Sequence, residues 1–179
     1  IHRVFLEKVN GLYQGAMFPF LEGFKSGNIG LRLSDDGQLY TSGSDRGWGA
    51  RGGMPYNFER VDWTGKVPFE IHEMRALSDG FELTFTQPID KSSAVDSAFK
   101  MEAYTYIYQK AYGSPEVDQV KPKVTVASVA EDGKSLKLKV EPLTKGHVHE
   151  LHADGIKAAE GGFGLLHPQA YYTLNEIPE

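Results

Sequence analysis

Apolar and polar residues alternate with a period of two along most of this chain, in short runs broken by Gly, Asn, Asp and Pro. That period belongs to half-buried strands, because successive strand side chains point to opposite faces. Arg3–Val9 and Leu12–Phe18 flank Asn10-Gly11. Asn-Gly between two β-prone runs suits a turn whose central residues both take positive φ, so a hairpin over residues 3–18 is predicted. A second strand-turn-strand unit follows in Ile29–Leu33, Ser34–Gly37 and Gln38–Ser42. Phe58–Trp63 alternates apolar with charged residues and reads as another strand, closed by Thr64-Gly65.

Beyond Pro68 the alternation becomes more regular. Phe69–Met74 and Phe81–Thr86 read as strands, the latter with Phe81, Leu83 and Phe85 on one face. Asp90–Ala98 suits a helical turn capped by Asp90 or Ser92. Met101–Tyr108 favours strand by propensity, and alternation places Tyr104, Tyr106 and Tyr108 together as core. Lys123–Val129, Ser135–Val140 and His147–Ala153 complete the series. Short strands separated by turn residues predict an all-β chain with a sandwich rather than helix-connected parallel strands.

Between these two regions, Gly43–Gly65 holds both tryptophans and much of the glycine. Glycine permits close backbone approach and Trp fills the space it leaves, so the stretch reads as a packed junction. Buried in that way, Trp48 or Trp63 would cost about 3–5 kcal/mol on truncation to Ala. The sharper alternative is a ligand loop presenting Arg46, Trp48 and Arg51.

Composition narrows the function. At 179 residues the chain can form one large domain or two small ones. A net charge of −5 without a basic cluster argues against nucleic acid, whose binding rests on Lys and Arg neutralising phosphates. No apolar run approaches the roughly 20 residues of a membrane helix, so no membrane span is expected. With no cysteine, the chain has no disulfide, zinc-thiolate site or covalent haem attachment.

Candidate chemistry is sparse, and no residue is assigned a catalytic role. His147 and His149 share a strand face with His152 opposite, so a third ligand from another strand would make a zinc or copper site. A hydrogen-bonded, half-buried histidine is the more ordinary outcome. Asp35-Asp36-Gly37 and Asp132-Gly133 are turn chemistry, and Asp154-Gly155 lacks the spacing of an EF-hand loop. Tyr104, Tyr106, Tyr108, Tyr112, Tyr171 and Tyr172 would serve as core or, if exposed, as a platform for sugar rings or a protein surface. No nucleophile elbow or phosphate-cradling glycine loop is present.

The junction residues Asp45-Arg46-Gly47-Trp48-Gly49, Gly52-Gly53, Pro55-Tyr56 and Glu59–Gly65 resemble the closing blade of a particular propeller type. These are the sorbosone/glucose-dehydrogenase-like β-propellers of PVC-type haem-binding proteins, which are large multidomain cytochrome c proteins. Val148–Ile156 and Leu165–Asn175 are similar to the final module of the same family, and Phe81–Asp90 to an early strand of its bacterial immunoglobulin-like sandwich. The resemblance implies partial propeller blades over residues 1–65 and an Ig-like sandwich over residues 66–179. It further implies export to the periplasm or cell exterior, and a non-catalytic assembly role beside a dehydrogenase-like domain. Haem c or quinone would belong to the parent protein, with no cofactor in this chain. Top loops of such propellers hold quinone and substrate, which is where Arg46 and Arg51 would meet an anionic group. A segment of this length supplies roughly one and a half of the about four to eight blades a propeller needs. The remaining propeller, or another subunit, is therefore the expected partner, covering faces and edges otherwise left open.

Overall fold

The structure is a computed structural model and describes residues 1–179. Thirteen strands run in chain order, joined by loops and two single-turn 3-10 helices. They are β1 (His2–Val9), β2 (Leu12–Pro19), β3 (Asn28–Leu33), β4 (Leu39–Ser44), β5 (Tyr56–Val61), β6 (Ile71–Leu77) and β7 (Gly80–Phe85). After them come β8 (Lys100–Tyr106), β9 (Glu116–Val120), β10 (Lys123–Val129), β11 (Ser135–Glu141), β12 (His147–His152) and β13 (Gln169–Leu174). All pairings are antiparallel, in three sheets. The chain is all-β, as the alternation predicts.

Two compact units divide it: residues 2–19 with 68–179, and Ile1 with residues 20–67. The larger unit is a sandwich of a six-stranded sheet, β1-β2-β13-β12-β8-β9, and a four-stranded sheet, β10-β11-β7-β6. Its core follows from period-two patterning. Phe81, Leu83 and Phe85 of β7 and Leu136, Leu138 and Val140 of β11 are buried. So are Leu151 of β12 and Ala170, Tyr172 and Leu174 of β13 in the other sheet. Phe81 and Tyr172 meet across the layers at 5.0 Å between ring centroids. In β6 an irregularity between Ile71 and Glu73 shifts the inward phase, so Ile71, Met74 and Ala76 are the buried positions.

The first hairpin forms as predicted, with Asn10 at φ 47° and Gly11 at φ 86°. Its placement differs from the expected division at 65/66. β2 pairs with β13, and its inward Gln14, Ala16 and Phe18 are buried in the sandwich, while the later boundary falls at Val67/Pro68. The hairpin also covers the outer edge of β6. Arg3 donates to the carbonyls of Ile71 and His72 while lying 4.2 Å over the Phe18 ring. Glu7 accepts from the Ala76 amide at 2.8 Å and from the Tyr172 hydroxyl at 2.6 Å. Asp90 caps the first 3-10 turn by accepting from the Ser92 amide.

The smaller unit is a three-stranded meander, β3-β4-β5, and forms no closed ring of blades. Its strands overlap the predicted positions, with β5 starting at Tyr56 and ending at Val61 short of Trp63, yet no apolar side chain in it is buried. Its only buried residues are polar, Ser26 and Thr41. Ile29, Leu31 and Leu33 of β3 and Tyr56 and Phe58 of β5 are all exposed.

Candidate functional site

Residues 45–55 connect β4 to β5 and carry the three residues singled out as a ligand loop. The backbone is held by nested turns. Asp45 accepts from the Gly47 amide at 2.8 Å through its carboxylate and from the Trp48 amide at 2.9 Å through its carbonyl. Gly53 donates to the Ala50 carbonyl at 2.8 Å, and Met54 to the Lys25 carbonyl at 3.0 Å. At Gly52 a Cβ would stand 2.2 Å from the Lys25 carbonyl, so only glycine lets the two segments approach.

Arg46, Trp48 and Arg51 are not brought together. Arg51 lines an open groove of about 530 Å³ with Glu22, Phe24, Ser26 and Asn28, whereas Arg46 and Trp48 do not contribute to it. Trp48 is 88% exposed and Trp63 63% exposed, so neither supplies the buried packing expected of the junction. The reason is local: the turns fold back on Lys25 through backbone bonds and leave the indole no layer to enter. In place of an apolar core, the meander is tied by polar side chains. Asn28 Oδ1 accepts from Thr41 at 2.9 Å and from Asn57 at 3.2 Å. Glu59 accepts from Asn57 at 2.7 Å and from the Lys25 amide at 2.9 Å, and these bonds hold its carboxyl below the usual range.

The two histidines proposed as metal ligands have separate fates. His149 is completely buried beside Phe81, with ring centroids 5.3 Å apart. Its Nε2 accepts from the Thr144 amide at 3.4 Å and its Nδ1 has no partner. Burial lowers its pKa to about 4, so the ring is neutral at pH 7. His147 lies at the strand start with Nδ1 3.3 Å from the Lys145 carbonyl. No group of three or more His, Asp or Glu side chains is placed to hold a metal ion. His149 is thus a core histidine, buried more deeply than the half-buried, hydrogen-bonded ring expected as the ordinary outcome and with only Nε2 bonded.

One polar trio and one polar pair escape the sequence pattern. On the outer face of the six-stranded sheet, Glu150 accepts from Tyr104 at 3.0 Å and lies 2.9 Å from His152 Nε2. Burial, then the Glu150 bond, pushes the Tyr104 hydroxyl pKa up. The i, i+2 spacing of Glu150 and His152 gives a local signal, whereas Tyr104 arrives from β8 by cross-strand pairing. The pair is His167 with Glu70, 2.7 Å apart, which anchors the loop before β13. The tyrosines expected to form one core face divide instead: Tyr104 is buried, Tyr106 is 47% exposed and Tyr108 is fully exposed. Ordinary alternation puts Tyr104 on the outer face, opposite Met101 and Ala103, where its ring meets Tyr106 edge-on with centroids 5.6 Å apart, and Tyr108 lies past the strand end. Tyr112 in the following loop is also fully exposed.

No protein-family model matches the chain. No curated protein matches it either. Among solved structures, two of the bacterial surface-layer protein SbsC are similar: one of its domains 1–6 and one of its N-terminal part. The identities are 19% and 18%, each over 63% of this chain with a TM-score of 0.45. The chain spans 14% of the first and 25% of the second. No helix is long and apolar enough to cross a membrane. Without cysteine, the chain offers no covalent attachment for haem c.

Proposed function

We propose that the chain is a non-catalytic structural and assembly module of a large exported multidomain protein, working in the periplasm or outside the cell. The observation that carries this reading is the meander, a folded three-stranded unit with no buried apolar side chain and with apolar groups exposed on both sheet faces. Three strands gain stability by covering a face. Leu31 and Leu33 on one face, and Tyr56 and Phe58 on the other, are the surfaces for another polypeptide to cover. The resemblance of residues 45–65 and 148–175 to PVC-type haem-binding proteins supports a dehydrogenase-like propeller as that polypeptide, with residues 20–67 as blade-like strands beside it and the sandwich as the Ig-like domain. Haem or quinone belongs to that partner.

The reading is tested with the gene. An upstream propeller and a Cys-x-x-Cys-His module in the same reading frame support it, and a gene beginning near Ile1 overturns it. With the upstream propeller expressed separately, the chain should bind it, Leu31→Asp or Phe58→Asp should weaken binding at least about tenfold, and the chain alone should oxidise no sugar with an artificial acceptor. A second reading, a carbohydrate- or protein-binding module, rests on the full exposure of Tyr108 and Tyr112. Glycan binding lost in Tyr108→Ala and Tyr112→Ala, with propeller binding absent, would favour it.

A further inference from the structure

The sandwich has four sheet edges, and three are blunted. β6 is capped by Arg3 and Glu7. β10 carries a register shift between Val126 and Ser128, and its Val126 amide donates to Asp96 at 2.8 Å. β9 has five residues, with Asp118 at φ 54°. Bulges, short length and capped backbone are the usual protections against strand addition.

β1 has none of them. It pairs with β2 in unbroken register over eight residues, from His2–Pro19 to Val9–Leu12. Residues bracketing a two-residue turn exchange both backbone hydrogen bonds, so Val9, Glu7, Phe5 and Arg3 face β2 along the ladder. The amides and carbonyls of Val4, Leu6 and Lys8 therefore point away from β2, and no backbone group in the structure meets them. The Val4 and Leu6 side chains on the outer sheet face are 59% and 64% exposed.

We infer that this edge pairs with the β1 edge of a second copy of the chain, antiparallel about a two-fold axis at Phe5, joining two six-stranded sheets into one. The strand is complementary to itself in that register. Val4 stands opposite Leu6 of the second copy, and Phe5 opposite itself. Outward-bonding Val4 and Leu6 form the hydrogen-bonded pair, so the two exposed apolar side chains of the outer face cover each other across the seam. Shifting the register by two residues toward the turn sets Val4 against Lys8, losing the apolar match. A two-fold contact uses the same patch on each copy and closes at the dimer.

Sedimentation equilibrium of the full chain tests this. The expected mass is twice the 19.9 kDa of one chain. Leu6→Pro removes an amide that points only to the free edge, so it should spare the hairpin and weaken dimerisation about tenfold or more. Independently, Phe5→Cys places the only cysteine in the chain at the two-fold axis. Non-hydrogen-bonded Cα atoms about 4.5 Å apart lie within disulfide range, so oxidation should give a covalent dimer. A single-chain mass at every concentration overturns the inference. So does a dimer that survives Leu6→Pro and leaves Phe5→Cys uncross-linked.

Discussion

The sandwich and the meander are built from similar alternating strands, and only one of them has a core. In β7 and β11 the apolar phase meets a second layer, and Phe81, Leu83, Leu136 and Leu138 are almost fully buried. In β3 the same phase puts Leu31 and Leu33 in water, and the buried positions of the unit are polar. Alternation specifies which side chains share a face. What covers that face is supplied by another sheet, and within this chain only the sandwich has one.

The widest separation between the two units should come from truncating their apolar side chains. Phe81→Ala removes a fully buried ring that touches both His149 and Tyr172, and is expected to lower unfolding free energy by about 3–5 kcal/mol in urea titration. A loss near that of a surface substitution would mean that the two layers are not packed as described.

A smaller effect should follow from acid. The unfolded His149 imidazole takes up its proton near pH 6.5, while burial holds the folded ring neutral down to about pH 4. Across that window the unfolded state binds more protons, so stability rises with pH and falls on acidification. The loss from this one group is about 3 kcal/mol between pH 6.5 and 4. His149→Leu should remove that part of the slope, as read from urea midpoints at several pH values. An unchanged slope would show that the ring is not buried neutral.

The smallest change is expected at the feature most prominent in the sequence. Trp48→Ala removes a side chain exposed to 88%, so the shift in stability should stay within about 0.5 kcal/mol. A loss of several kcal/mol would restore the packed junction and erase the contrast between the units.

Much of the strand pattern was legible because local chemistry dictates it. Asn10-Gly11 imposed the first turn, Asp90 capped its helical turn, and Phe81, Leu83 and Phe85 shared an inward face. Partners across the sheets were not legible. β13 is central in its sheet, yet its neighbours β2 and β12 are set by pairings such as Tyr171 with Met17 and His149 with Tyr172. Nothing in Trp48 distinguishes a residue that fills a gap from one that has no gap to fill. Alternation put Tyr104 and Tyr106 on one face of β8 but did not say which face is inward; Met101 and Ala103 take the core side and the tyrosines the outer one. The candidate site was legible only as residue types: Arg51 reached a groove, Arg46 and Trp48 did not, and His149 went to the core.

The pairing of β2 with β13 also orders events in time. The hairpin of β1 and β2 can form by itself within microseconds, since its contacts are local. Its place in the six-stranded sheet stays vacant until β13 arrives, and closing so long a loop carries an entropy cost before any contact repays it. During synthesis the hairpin would wait with Ala16 and Phe18 uncovered until the chain has been made as far as β13. Folding of the sandwich is therefore completed by its last strand, and a ribosome stalled before residue 169 would hold a chain whose first hairpin is still undocked.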